Sequence, residues 1–123
     1  FDRVACVSTL EHVGCDNTVY GGPIEDDPGS VGRAAQELWR VCGDRLFVTV
    51  PFRMIAHREA GWRSFTPDTL RMDLLIHWPG ADVAYYVRTA AGWSGPWGYP
   101  EPDDPTQVRA HKVSQIACVL VTR

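Results

Sequence analysis

The 123 residues predict one α/β domain over 1–123, with about four strands, two parallel and then a C-terminal antiparallel pair, and two main helices. Apolar strand-like runs alternate with amphipathic stretches of helical period. Each helical stretch opens on an acid or hydroxyl residue followed by proline, the usual chemistry of a capped start. The last two strands have no helix between them, which an antiparallel pair allows and a parallel one does not.

Residues 3–8 (RVACVS) are almost continuously apolar, as in a strand covered on both faces. Residues 14–32 are rich in Gly, Asp, Asn and Pro and read as loop. Asp27 is placed to cap a helix with Pro28 at its first position. Val31, Ala34, Ala35, Leu38 and Cys42 follow at helical spacing, and Gly43 is placed to end it. Residues 45–50 (RLFVTV) form the second strand, stopped by Pro51. An irregular segment, 52–65, carries Arg53, His57, Arg58 and Arg63. Thr66-Pro67-Asp68 starts the second helix, with a stripe of Leu70, Leu74, Leu75 and Trp78, and Pro79-Gly80 closes it. Residues 82–88 (DVAYYVR) make a β-branched and aromatic strand. Residues 92–107 hold four prolines, three glycines and two tryptophans, a composition expected of a loop. Residues 114–122 (SQIACVLVT) are the final strand.

Composition removes several function classes. Hydrophobic residues at 45% and charged ones at 22% exclude wholesale disorder. A net charge of −3 argues against a nucleic-acid partner held by a basic field. The acids cluster at Glu25, Asp26 and Asp27 and again at Glu101, Asp103 and Asp104, as solvated loops do. No apolar run nears the roughly 18–20 residues of a membrane span, so no membrane partner is expected. Cys6, Cys15, Cys42 and Cys118 include no CxxC pair, which removes zinc-ribbon and thioredoxin-type motifs. Free thiols and a cytoplasmic location are expected. His12 and Cys15 lack further ligands nearby, so no metal site is expected. A hydrolase elbow of the GxSxG kind is absent.

The opening FDRVACVSTLEHVG, and a helix ending in ELWRVCGDRLFVTVPF, resemble the C-terminal half of a class I S-adenosylmethionine-dependent methyltransferase. The correspondence runs through Phe1-Asp2, Ser8-Thr9-Leu10-Glu11-His12, Glu37-Leu38-Trp39-Arg40-Val41 and Gly43. GWRSFTPDTLRMDLL looks like the lead into the family's next helix, and the closing strands fit as well. The resemblance implies a partial Rossmann-like methyltransferase sheet that begins at the family's fourth strand. It also implies S-adenosyl-L-methionine as cofactor. The family's glycine-rich cofactor turn has no counterpart here, because Gly21-Gly22-Pro23 follows no strand.

Under this resemblance Ser8, Thr9 and Leu10 line the cofactor pocket at a strand's C-terminal end, where open α/β sheets bind ligands. Methyl transfer mainly needs alignment of donor and acceptor. An oxygen or nitrogen acceptor can also need a base, for which histidine, with an unperturbed pKa of about 6.5, is suited. His12 is the first candidate and Glu11 the second. Arg53, His57, Arg58 and Arg63 suit an anionic small-molecule substrate. An apolar strand at 3–8 with a free edge invites pairing with another chain, so a homo-oligomer covering that edge is expected. Two functions follow: a methyltransferase, or fragment of one, acting on a small molecule, and a non-catalytic methyltransferase-like module with an assembly role.

Overall fold

Alternate residues of the central strands divide between two environments. In β2 (Arg45–Pro51) Leu46, Val48 and Val50 are buried while Phe47 is exposed. In β7 (Gln115–Thr122) Ala117, Val119 and Val121 are buried while Leu120 is exposed. This period of two is that of a sheet with one packed face. The computed structural model describes residues 1–22, 26–106 and 113–123. Pro23, Glu25 and Gln107, named above, lie outside them.

The fold is α/β, with a mixed sheet that has five strands among the described residues, in the order β1 (Arg3–Val7), β2, β7, β5 (Asp82–Thr89) and β6 (Gly92–Trp97). β1 (Arg3–Val7) runs parallel to β2, Val7 facing Thr49. β7 runs antiparallel between β2 and β5 (Asp82–Thr89). The parallel opening pair and the antiparallel closing pair are therefore as expected. β1 lies at the end of the strand order, with β2 alone beside it among the described residues.

The strand count differs from the expected four. β6 (Gly92–Trp97) pairs antiparallel with β5, Arg88 facing Trp93 and Thr89 facing Gly92, within the stretch read as loop. A tight turn makes the pairing possible: Thr89 Oγ1 donates to the Gly92 carbonyl at 2.8 Å. Pro96 is tolerated because β6 is an edge strand and its missing N–H costs no ladder bond. Gly95 has φ 152°, and a Cβ there would lie 2.6 Å from the Tyr85 carbonyl, so only glycine passes this irregular register.

α1 (Ser30–Val41) starts three residues beyond the expected cap. Asp27 is engaged in the preceding turn, where Oδ1 accepts from the Gly29 amide at 3.0 Å and the carboxylate pairs with Arg33. At the other end Cys42 is extended and donates to the Leu38 carbonyl. The amides of Gly43 and Asp44 then donate to the carbonyls of Phe1 and Asp2, at 2.6 and 2.8 Å. Pairing with the first residues ends the helix, rather than a left-handed glycine.

The second helix begins as expected. Thr66 and Thr69 form a reciprocal cap around Pro67. After α2 (Pro67–Thr69) the chain widens into a π turn over Leu70–Leu74 and tightens into a 3₁₀ turn over Leu75–His77. Leu70, Leu74 and Trp78, all buried, are spaced by four residues, which on an α-helix drifts about 40° per step. The wider turn takes up part of that drift. With Val31 and Ala35 of α1 they join the buried residues of β2 and β7 in one core.

The opposite sheet face carries Phe47, Thr49, Ala84, Tyr86, Ile116 and Leu120 along an open groove. All four cysteines are free thiols. Burial raises the pKa of Cys6 and Cys118 above the ordinary thiol value, which disfavours their reactive thiolates.

Trp78 ties the two helical segments together, its Nε1–H donating to the Ala35 carbonyl at 2.9 Å. Trp78→Ala is expected to cost about 3–5 kcal/mol, read from urea unfolding followed by circular dichroism. A loss under about 1 kcal/mol would contradict this packing.

Candidate active site

Because β1 and β2 are parallel, both bring their C-terminal ends to the same side of the sheet. Ser8 follows β1 with φ 46°, a left-handed conformation that a non-glycine residue adopts only when its surroundings hold it there. The Ser8 amide is held by the Thr49 carbonyl and Thr49 Oγ1, both at 3.3 Å. The chain then coils back on itself: the amides of His12 and Val13 donate to the carbonyls of Thr9 and Leu10, at 3.0 and 3.3 Å.

A distant hairpin, β3 (Arg58–Glu59) and β4 (Trp62–Arg63), clamps this coil. The Arg63 amide donates to the Glu11 carbonyl at 3.1 Å, and Arg63 Nη2 to the Val13 carbonyl at 2.8 Å. Within the hairpin turn Gly61 presents its carbonyl to His12 Nδ1. Gly61 has φ 84°, and a Cβ would lie 2.8 Å from the Tyr20 ring. A carbonyl only accepts, so Nδ1 must carry the proton. In the neutral imidazole, Nε2 is then left with its lone pair, the arrangement a general base needs.

Glu11 sits beside it, Oε1 lying 4.0 Å from His12 Nε2. Glu11 is 3% exposed, and Oε2 has no hydrogen-bond partner among the described residues. Burial pushes the Glu11 pKa above its ordinary value of 4.5, against smaller lowering effects of its backbone amide, His12 and Ser8. The pair lines a cleft of about 590 Å³ with Ser8, Thr49, Tyr20, Trp62 and Trp93. Thr9 and His12 also border an adjoining hollow with Asn17 and Tyr20.

The other expected site residues divide. Ser8 and Thr9 are exposed at the strand end. Leu10 is buried in the core, its side chain turned to packing. The four basic candidates do not converge on one point. Arg58 pairs with Asp26 at 2.7 Å, and His57 Nε2 lies 3.1 Å from Glu59. Arg63 is bound to the coil and stacks over Phe65. Arg53 is 2% exposed and borders a different hollow with Ile55, His57 and Asp103. Residue order alone missed Tyr20 and Trp62 as cleft walls. Trp62 lies 51 positions from Glu11 in the chain, and only the hairpin brings them together.

Among the described residues no group of three His, Cys, Asp or Glu is placed to hold a metal ion. No helix among them is long and apolar enough to cross a membrane. Comparison with protein-family models, curated proteins and solved structures returns no match. The functional reading therefore rests on the chemistry of the cleft and on the sequence resemblance.

The buried carboxyl has a measurable signature. Below 4.5 Glu11 is protonated in both folded and unfolded chains. As pH rises the unfolded chain loses its proton first, so the raised folded pKa lowers stability until that pKa is passed. Glu11→Gln is thus expected to gain stability over the wild type as pH rises from 4.5, the gain levelling off above the folded pKa. Urea midpoints across this range check it; a pH-independent difference, or one of opposite sign, would contradict the burial.

Proposed function

We propose that this chain carries the C-terminal half of a class I S-adenosylmethionine-dependent methyltransferase domain that acts on a small molecule. The observation that carries the reading is the cleft at the ends of two parallel strands, where Ser8, Glu11 and His12 of the STLEHV segment meet. Position and chemistry agree there, since open α/β sheets bind ligands beyond their strand C-termini. The mixed sheet, parallel at its start and antiparallel at its close, supports the same reading.

S-adenosylmethionine, when bound, supplies an electrophilic methyl group. The residues present suit one wall of its site: Ser8 and Thr9 are exposed beside the cleft, and Glu11 Oε2 there lacks a partner among the described residues. His12 accepts a proton at Nε2 while the Gly61 carbonyl keeps Nδ1 protonated. Such a positioned base contributes about 10²–10⁴-fold to a reaction that needs one.

The bare sheet face and the free β1 edge favour a second reading, a non-catalytic module that assembles through them. Val7 at the end of β1 is 56% exposed, and apolar edges of this kind recruit other strands. A second copy of the chain on that edge would be the homo-oligomer of this reading.

Titration of the chain with S-adenosylmethionine, followed by amide NMR, separates the two. The methyltransferase reading expects saturable shifts at Ser8, Thr9 and His12. Absence of shifts together with absence of heat in calorimetry would overturn it. For the assembly reading, size-exclusion chromatography with light scattering is expected to give the mass of two or more chains; a soluble monomer would overturn that one.

A further inference from the structure

The charge balance of the cleft bears on what it selects. Among the described residues, Glu11, His12 and the Tyr20 phenol are the titratable side chains that line it, and no arginine or lysine does. Of the described cations of the adjoining hairpin, Arg58 is engaged with Asp26 and Arg63 with the Val13 carbonyl. A carboxylate or phosphate placed here would meet a buried acid and, among the described lining residues, no cation to offset it.

The polar requirement runs the other way. Glu11 Oε2 is buried with no donor bonded to it among the described residues, and an unmatched acceptor of this kind is costly to leave so. Around it stand aromatic side chains. Trp93, from β6, is 50% exposed and borders both this cleft and the groove on the open sheet face. Trp62 is oriented by its Nε1–H bond to Glu59 at 3.2 Å, and Tyr20 packs edge-on against the His12 ring at 5.5 Å. A carboxylate with aromatic walls suits a cation that carries an apolar body, through charge and through the negative faces of the rings.

We propose that this cleft selects an organic amine: a protonated nitrogen that donates to Glu11, on an apolar or aromatic body held against Trp62 and Trp93. This names the acceptor class, a nitrogen that can take the methyl once its proton has passed to His12 Nε2, and rests on the reading of the cleft as the acceptor site. It departs from the anionic substrate that the basic residues of segment 52–65 suggest in sequence.

The test titrates the full chain, near neutral pH and at low salt, with three probes of similar shape: phenethylamine, 2-phenylethanol and 3-phenylpropionate. Tryptophan fluorescence and the amide shifts of Glu11 and His12 report binding. The amine is expected to bind about tenfold or more tighter than the alcohol, a difference typical of one charge-assisted hydrogen bond, and the acid not to saturate. In Glu11→Gln, shown folded by circular dichroism, amine and alcohol are expected to bind alike. In Trp93→Ala, a change at an exposed position, both are expected to weaken while the preference for the amine stays. Equal binding of amine and alcohol by the wild type would overturn the proposal. So would preference for the acid, a preference that survives Glu11→Gln, or no saturation by any probe.

A parallel titration with S-adenosylmethionine, itself a cation, keeps the two readings apart. Amine preference without any response to S-adenosylmethionine upholds the cleft chemistry and removes the methyltransferase reading. A response to S-adenosylmethionine without amine preference does the reverse.

Discussion

The parallel ladder between β1 and β2 is the constraint on which the site depends. Its register sets Val7 opposite Thr49, and Thr49 then grips the Ser8 amide through both its carbonyl and its hydroxyl. A slip of one residue would exchange the packed and open faces of β1. Val4 and Cys6 would leave the core they pack against, and the coil carrying Glu11 and His12 would lose its anchor. Parallel pairing also requires a crossover, here α1, whose buried Val31 and Ala35 press on the same sheet face. Core packing and the position of the cleft are in this way one problem with one solution.

The second anchor comes from the hairpin after β2. Its partners in the coil are backbone carbonyls, those of Glu11 and Val13, so the hold does not depend on which side chains the coil bears. The cost falls on Glu11, whose carboxyl is carried into a buried position with one oxygen unmatched. Burial and proximity to His12 pull its proton affinity in opposite directions, and burial is the larger effect. The hairpin also brings Trp62 to the cleft, and β6 brings Trp93. Elements from three separate parts of the chain thus complete a site that starts from one strand end.

Much of the framework was legible from apolar period. β1, β2, β5 and β7 follow from runs whose alternation or continuity suits a sheet, and α1 from the spacing of Val31, Ala35 and Leu38. What escaped was structure governed by contacts far along the chain. β6 reads as loop because Gly95 and Pro96 oppose strand formation locally, and a tight turn with an edge position overrides them. Asp27 reads as a cap, yet Gly29 and Arg33 compete for the same carboxylate. In the site, His12 and Glu11 were legible as candidates through the STLEHV resemblance. The tautomer of His12 was not, because it is set by Gly61, 49 positions away. Nor was the scatter of Arg53, Arg58 and Arg63, which stand close in sequence: Arg53 borders another hollow, Arg58 pairs with Asp26 and Arg63 holds the Val13 carbonyl.

Residue-resolved amide hydrogen exchange of β1 tests the parallel ladder most directly. The bond from the Ser8 amide to Thr49, with the register of the pair, turns the amides of Val4, Cys6 and Ser8 toward β2 and those of Ala5 and Val7 toward the free edge. In dilute, monomeric chain the amides of Val4, Cys6 and Ser8 should exchange slowly, and those of Ala5 and Val7 fast. Protection on the opposite set, or exchange of all five at the rate of an unstructured chain, would show that β1 does not lie on β2 in this register, and the cleft built on their ends would fall with it.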